Sequence, residues 1–435
     1  MYSRKILDQL EEKNIETGDR IKASGREGRL MPKPESGDPE TIILKDDSGY
    51  NIGVDPEGIE LVEKGESLGR EVVELEHDED KPDILILHTG GTIASRVSYE
   101  EGGVKPAFDP EELVEMYPEL AEEVNIHSEV VAQMASEDME PAHWRQIAEM
   151  IHENQEDYDG IVVGHGTDTI SYTGAALTLM LKGLDTGVMI VGSQRSSDRP
   201  SSDSAMNLYC AGKFLSDTDF TGVGVCMHKD SNDKICQVIP AAKSRKNHTS
   251  RRDAFEPINS GVYAEVNYET GKIKKGSEEW PENENYDFKT GINENVGFLK
   301  TRPGMSSDEI DFLLEQDYDG VILEGTGLGH IPVSSFDEHT EHHEEILEKV
   351  SELAEDTLVI ITSQCINGRI DQNVYDNLLK LKNAGVVGAE DMHPELAYVK
   401  LMWSLGQTED IEEAEQIFLE NHNGELNDRS SYRGD

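Results

Sequence analysis

The run Thr89-Gly90-Gly91-Thr92-Ile93-Ala94-Ser95 follows directly on the apolar stretch DILILH and combines hydroxyls with a glycine pair. Glycine lets the backbone turn tightly and lets a ligand approach its N–H groups. A second apolar stretch, Gly160–Val163, ends in Gly164-His165-Gly166-Thr167-Asp168-Thr169. In open α/β sheets reactive groups gather at the carboxyl ends of strands, which is where both runs fall. Taken singly, either run could be a plain helix cap. Two hydroxyl-bearing strand ends with a carboxylate point instead to a site. A threonine hydroxyl is a poor nucleophile and needs a base nearby. The candidate base is Lys246, within the stretch Lys243-Ser244-Arg245-Lys246-Asn247-His248-Thr249-Ser250-Arg251-Arg252. Desolvated among other cations, a lysine can accept a proton, a shift that a nearby Asp168 would oppose. The competing assignments for this stretch are a nucleic-acid patch and a solvated loop. A phosphate loop is disfavoured, because neither Gly-x-x-x-x-Gly-Lys nor Gly-x-Gly-x-x-Gly is present there.

Such groups need rigid elements behind them. Ile84–Leu87 is apolar without alternation, as expected of a strand buried on both faces of a parallel sheet. Similar runs recur at Gly160–Val163, Val188–Val191, Val223–Met227, Gly320–Leu323, Thr357–Ile361 and Gly385–Val387. Helical patterns such as Pro141–Glu153 and Thr173–Leu181 lie between them, so βαβ units and a doubly wound sheet are expected. Asp308–Leu314 and Glu344–Leu353 carry apolar residues at helical spacing. Ahead of this, residues 2–13 suit one short helix. DRIKAS, EGRLMPK, TIILKD, GYNIGV and GIELVE then read as the short strands of a small β-barrel. The mostly charged Glu63–Lys81 reads as a linker, and the polar tail after Asn421 as frayed. The expected fold class is α/β, with two doubly wound lobes (76–290 and 291–435) preceded by a barrel domain (1–75).

Bulk composition narrows the setting. Hydrophobic residues make up 36% of the 435, enough for cores and too many for a disordered acidic chain. Acids number 89 against 39 bases, a formal net charge of −50. That charge repels phosphate backbones at low ionic strength, and in molar salt, where the Debye length is about 3 Å, the self-repulsion largely vanishes. A salt-adapted, halophilic cytoplasm is the expected setting. The four cysteines (Cys210, Cys226, Cys236, Cys365) form no Cys-x-x-Cys pair and are expected as reduced core residues. MYSRKILDQLEEKN has no apolar h-region and no window is long enough to span a membrane, so a cytoplasmic location is expected. His339 and His343 have helical metal-site spacing, but their acidic surroundings favour a solvated first helical turn.

TGGTIAS, GHGTDT and a downstream lysine, in that order, resemble the bacterial-type L-asparaginase/glutaminase family. The resemblance runs from about Asp83 to about Glu420 and includes Ser136-Glu137-Asp138-Met139, Gly325-Thr326-Gly327-Leu328-Gly329-His330 and a helical closing stretch, Pro394–Phe418. It implies an asparaginase-like fold and roles carried over by position. Thr92 would attack the amide carbon, and Thr167 would place a proton or the hydrolytic water. Asp168 would bind the α-ammonium, and Lys246 would tune or deprotonate Thr167. Ser136 and Glu137 would hold the substrate's α-carboxylate and α-amino ends. Backbone N–H groups beside Thr92 and Thr167, around Gly91 and Gly166, would stabilise the oxyanion. Glu137 is a carboxylate where free asparaginases carry glutamine. Tyr99 is the only tyrosine near Thr92, at shorter spacing than in those enzymes.

The barrel-like extension ahead of TGGTIAS, together with KNHTSRRDAF, resembles the amidase-subunit (GatD) family of archaeal glutamyl-tRNA(Gln) amidotransferases. That resemblance implies a glutamine- or asparagine-hydrolysing subunit with no cofactor of its own. A GatE-type partner would hold Glu-tRNA(Gln), ATP and Mg²⁺, in a heterotetramer built on a homodimer of this chain. The alternatives are a free cytosolic L-asparaginase/glutaminase and a non-catalytic binding module.

Overall fold

The computed structural model describes residues 2–31, 38–46, 51–64, 77–90, 95–97, 104–106, 118–195, 202–281, 283 and 285–430. Residues 65–76 of the expected linker lie outside them.

The helix Arg4–Glu12 starts at Ser3, whose Oγ accepts the N–H of Ile6, and buries Ile6 and Leu10. It packs on a five-stranded antiparallel sheet ordered Asn51–Val54, Ile42–Lys45, Arg26–Leu30, Arg20–Ala23, Glu60–Glu63. All five strands coincide with the short runs in the sequence. Ile21, Leu30, Ile42 and Leu44 close this core with Ile6.

The central sheet has eight strands, in the order Ile273–Lys275, Ala264–Asn267, Ile235–Pro240, Gly222–His228, Gly187–Val191, Gly160–Gly164, Asp83–Gly90, Asn125–Met134. The last five run parallel, and the first three join antiparallel to one another and to Gly222–His228. Successive side chains on a strand point to opposite faces. Leu85, Leu87, Ile161 and Val163 therefore enter one core, while Ile84, Ile86, Val162 and Met189 enter the other. Both faces are apolar, which is why these strands read as unbroken hydrophobic runs. The helices Pro141–Asn154 and Ile170–Met180 cover the first face, and Ser204–Asp217 covers the second. Ile170–Met180 is apolar nearly all round because it is sandwiched between this sheet and the helix Pro394–Leu405. The second lobe carries a four-stranded parallel sheet, Val296–Lys300, Gly320–Gly325, Leu358–Ser363, Val387–Gly388, flanked by Asp308–Glu315, His343–Asp356 and Asp376–Asn383.

Two expectations are corrected. Cys210, Cys226 and Cys236 are core residues, but Cys365 is exposed. The chain past Asn421 is docked rather than frayed as far as Asn427. Glu425 and Lys400, both 0% exposed, pair at 2.5 Å. Burial pushes the Lys400 ammonium down. It would raise Glu425, but the charge of Lys400 and the N–H groups of His422 and Asn423 hold that carboxyl below its usual range. Asn423 Nδ2 reaches Thr178 O at 2.7 Å, and Asn427 Nδ2 reaches Asp391 Oδ2 at 2.5 Å. Polar composition signals fraying only while polar groups lack partners, and here Asn423, Glu425 and Asn427 all have them.

Removing one member of a buried pair leaves the other charge stranded, at a cost of about 3–5 kcal/mol. Glu425→Ala should therefore lower the thermal unfolding temperature sharply. Lys400→Met combined with Glu425→Leu should recover most of that loss, and scanning calorimetry of the three proteins checks it.

Candidate active site

Strand Gly160–Gly164 sits between Asp83–Gly90 and Gly187–Val191, and its carboxyl end turns through Thr167–Thr169 into the helix Ile170–Met180. Thr167 and Asp168 thus stand at the mouth of the parallel sheet. Lys246 arrives from far along the chain, on a hairpin pairing Ser244–Lys246 with Phe255–Pro257, and the buried Phe255 lies opposite it. Its Nζ donates to Thr167 Oγ1 at 2.8 Å and to Asp168 Oδ1 at 2.6 Å. The Lys246 side chain is 12% exposed and that of Asp168 63%, so the cation is sheltered while the carboxylate still faces solvent.

Ser136 joins the same cluster. It is buried in the short turn Ser136–Asp138, its Oγ accepts the N–H of Asp168 at 3.3 Å, and its carbonyl accepts Thr169 Oγ1 at 2.7 Å. Gly166 must be glycine, because a Cβ there would fall 2.7 Å from Ser136 Cβ. Glu137 is exposed beside it. Thr89 Oγ1 donates to Gly164 O at 2.9 Å and ties the first strand end to the second. At Gly90, φ is +108° and a Cβ would lie 2.3 Å from Met134 O, so only glycine lets the chain leave the sheet there. Gly91, Thr92 and Tyr99 lie outside the described residues.

The basic stretch does not form a cluster of cations around Lys246. Arg245 pairs with Glu395 at 2.8 Å, Lys243 with the buried Asp391 at 3.4 Å, Arg251 with Asp253 and Arg252 with Asp233. Each cation near Lys246 is spent on its own carboxylate, so the stretch offers neither a cationic environment for Lys246 nor a patch for phosphates. Burial would raise the Glu395 carboxyl, but hydrogen bonds from His393 and Arg245 outweigh it and hold that group well below the usual carboxylate range.

Sequence reasoning missed a second layer. Asp203, fully buried, accepts the N–H groups of Gln194 and Arg195 at 3.0 Å each. Asn207, one helical turn on, donates to Asp203 Oδ2 and to Gly192 O, and its Oδ1 meets His228 Nδ1 at 2.6 Å. This chain of bonds holds the loop after Gly187–Val191. The available signal was a polar pair at i, i+4, Asp203 just before a largely apolar helix and Asn207 inside it. His165 is also buried, between Gly166 O at 2.7 Å and Thr173 Oγ1 at 2.8 Å.

Burial lowers both His88 and His165 to about 4. Folded, they stay neutral until the pH nears that value, whereas in the unfolded chain they take up protons near 6.5. The stability they contribute is complete above pH 6.5 and is lost as the pH falls from there toward 4, on the order of 3 kcal/mol for each. Burial lowers His228 and His422 in the same direction. Thermal unfolding followed against pH in molar KCl should decline from about pH 6.5, above the range in which carboxylates titrate.

Residues 83–279 match the family model "Asparaginase, N-terminal", residues 295–418 the "Glutaminase/Asparaginase C-terminal domain", and residues 15–64 the "GatD N-terminal domain". The GatD subunit of the Methanopyrus kandleri glutamyl-tRNA(Gln) amidotransferase is 41% identical over 98% of this chain and 94% of that protein. That of Pyrococcus abyssi is also 41% identical, over 97% of each. Among solved structures, the thermostable L-asparaginase from Thermococcus kodakarensis superposes with a TM-score of 0.70 at 30% identity, covering 80% of this chain and all of that one. L-asparaginase I from Vibrio cholerae gives 0.67 at 27%, covering 80% and 99%. The two asparaginase family models begin only at residue 83, and the N-terminal sheet falls under the GatD N-terminal domain instead. The chain belongs to the GatD family of glutamyl-tRNA(Gln) amidotransferase subunits, a branch of the asparaginase-type amidases.

Proposed function

We propose that this chain is the amidase subunit of a tRNA-dependent amidotransferase, hydrolysing glutamine, or asparagine, to supply ammonia for converting Glu-tRNA(Gln) to Gln-tRNA(Gln). The observation that carries the chemistry is the single ammonium, Lys246 Nζ, in contact with both Thr167 and Asp168. Thr92 attacks the side-chain amide carbon and is acylated as ammonia leaves. Thr167, its hydroxyl held by Lys246, places the proton and then the water that releases the acid. Asp168, still facing solvent, receives the substrate's α-ammonium. Ser136 and Glu137 bind the α-carboxylate and α-amino ends, and the backbone N–H groups around Gly91 and Gly166 face the oxyanion.

The full-length match to GatD proteins, N-terminal domain included, favours the complex over a free hydrolase. A GatE-type partner binds the tRNA, activates its glutamyl group with ATP and Mg²⁺, and receives the ammonia, while this subunit works as a homodimer within a heterotetramer without a cofactor. A net charge of −50 and a basic stretch neutralised by its own carboxylates leave the phosphate contacts to that partner. The same acidity suits a salt-rich, halophilic cytoplasm. Among the described residues no helix is long and apolar enough to cross a membrane. A barrel domain of residues 1–75 precedes lobes of 76–290 and 291–435.

Ammonia release from glutamine in molar KCl tests this. The chain alone should be weakly active and should respond to the partner subunit, ATP, Mg²⁺ and Glu-tRNA(Gln). Lys246→Met should lower kcat by roughly 10²–10⁴-fold, the usual worth of positioned proton transfer. Full activity alone with no response to the additions would mean a free asparaginase-type hydrolase. Unchanged function in Thr92→Ala would mean a binding module with a dead amidase fold.

A further inference from the structure

Three potential metal ligands meet at the end of the central sheet remote from Thr167. Asp83 opens the strand Asp83–Gly90, and His127 lies in the neighbouring Asn125–Met134, where the register pairs Asp83 with Asn125 and Leu85 with His127. His77 comes from the segment that leads into the first strand. One ligand atom from each of the three lies within 4.8 Å of the other two. Asp83 Oδ1 is 2.8 Å from His127 Nε2 and 3.6 Å from His77 Nδ1. We propose that His77, Asp83 and His127 bind one divalent transition-metal ion of the zinc class, which staples the segment preceding the sheet to its two outermost parallel strands.

The donor set selects the class. Two imidazole nitrogens and one carboxylate oxygen suit Zn²⁺, Co²⁺ or Ni²⁺, whereas Mg²⁺ and Ca²⁺ prefer oxygen ligands throughout. Metal–ligand bonds of about 2.0–2.1 Å in a tetrahedron put neighbouring donors about 3.3 Å apart. The two distances to Asp83 Oδ1 bracket that value, so small side-chain rotations would complete three sides of the polyhedron, with water for the fourth.

The site is also held in place before any ion arrives. Asn125 donates through Nδ2 to the carbonyls of Asp78 at 3.0 Å and Lys81 at 3.1 Å, and its Oδ1 accepts the N–H of Asp78. The residue next to His77 is therefore anchored two positions from His127. Lys81 Nζ fastens the same turn to Ala121 O at 3.0 Å, and Asp159 Oδ2 accepts the N–H of Asp83 at 2.8 Å. The Tyr158 ring stands edge-on to His127 at 5.0 Å and limits its rotation. Ligands supplied by three fixed segments lose little entropy on binding. Strand Asp83–Gly90 separates this cluster from the amidase residues by about 20 Å, so the ion has no part in amide hydrolysis.

The test uses the full chain, stripped with a chelator and held in molar KCl with excess Mg²⁺ to occupy carboxylate pairs elsewhere. Titration with Co²⁺ should give one equivalent of visible d–d absorption, abolished by one equivalent of Zn²⁺, and Zn²⁺ should raise the thermal unfolding temperature without changing glutamine hydrolysis. His127→Asn and the exposed His77→Asn should each weaken Co²⁺ binding by more than about 10-fold. The proposal is overturned if the chain takes up no stoichiometric Co²⁺ or Zn²⁺. It is equally overturned if His77→Asn, folded by the measure of retained amidase activity, binds as tightly as the parent.

Discussion

The geometry of the site rests on a single cation reaching two acceptors from across the chain. Lys246 Nζ meets Thr167 Oγ1 at 2.8 Å and Asp168 Oδ1 at 2.6 Å, although the contacting residues are 79 and 78 positions apart in sequence. A flexible four-carbon side chain can hold such a contact only if both backbones are fixed. On one side the fixing comes from the parallel sheet, with Thr89 tying adjacent strand ends and Ser136 bracing Asp168 and Thr169. On the other side it comes from the second lobe. Arg245 is held by Glu395, Lys243 by Asp391, and the carbonyl of Ala242 meets His393 Nε2 at 3.1 Å. The residues around Lys246 are thus clamped to the start of one helix, Pro394–Leu405.

That clamp extends to the C-terminal segment. Asn427 bonds Asp391 and the carbonyl of Asn259, so the polar residues after Asn421 brace the same junction that supports the Lys246 hairpin. Buried charges are costly unless paired, and nearly every ionic group at this junction is paired. In a chain with only 39 basic residues, committing Lys243, Arg245, Lys246, Arg251 and Arg252 to internal carboxylates is a large share of the local positive charge. The surface left over is acidic, which fits an enzyme of small amino acids better than a phosphate-binding one.

Much of this was legible in the sequence because buried parallel strands are apolar on both faces. Ile84–Leu87, Gly160–Val163 and Val188–Val191 each fall inside an observed strand. Asn125–Met134 was not legible, because as an edge strand it is mostly half-buried, with Glu129, Val130 and Gln133 exposed, and its one short apolar run is Val130–Ala132. The Thr167–Asp168–Lys246 contact followed from residue types together with a family resemblance, since spacing alone cannot bring residue 246 to residue 167. The cations around Lys246 mislead for a physical reason. A one-dimensional run of basic residues carries no sign of carboxylates that arrive from residues 233, 253, 391 and 395. The docking of Glu425 onto Lys400 is hidden from the sequence in the same way.

The proposed amidase centre at this sheet mouth has Thr92 as nucleophile and Lys246 acting through Thr167. The most direct measurement is peptide mass mapping after incubation with a glutamine-derived diazoketone, which alkylates the attacking group. One label per chain is expected, on Thr92, formed far more slowly in Lys246→Met. A label on another residue, or one formed at the same rate without Lys246, would contradict that assignment.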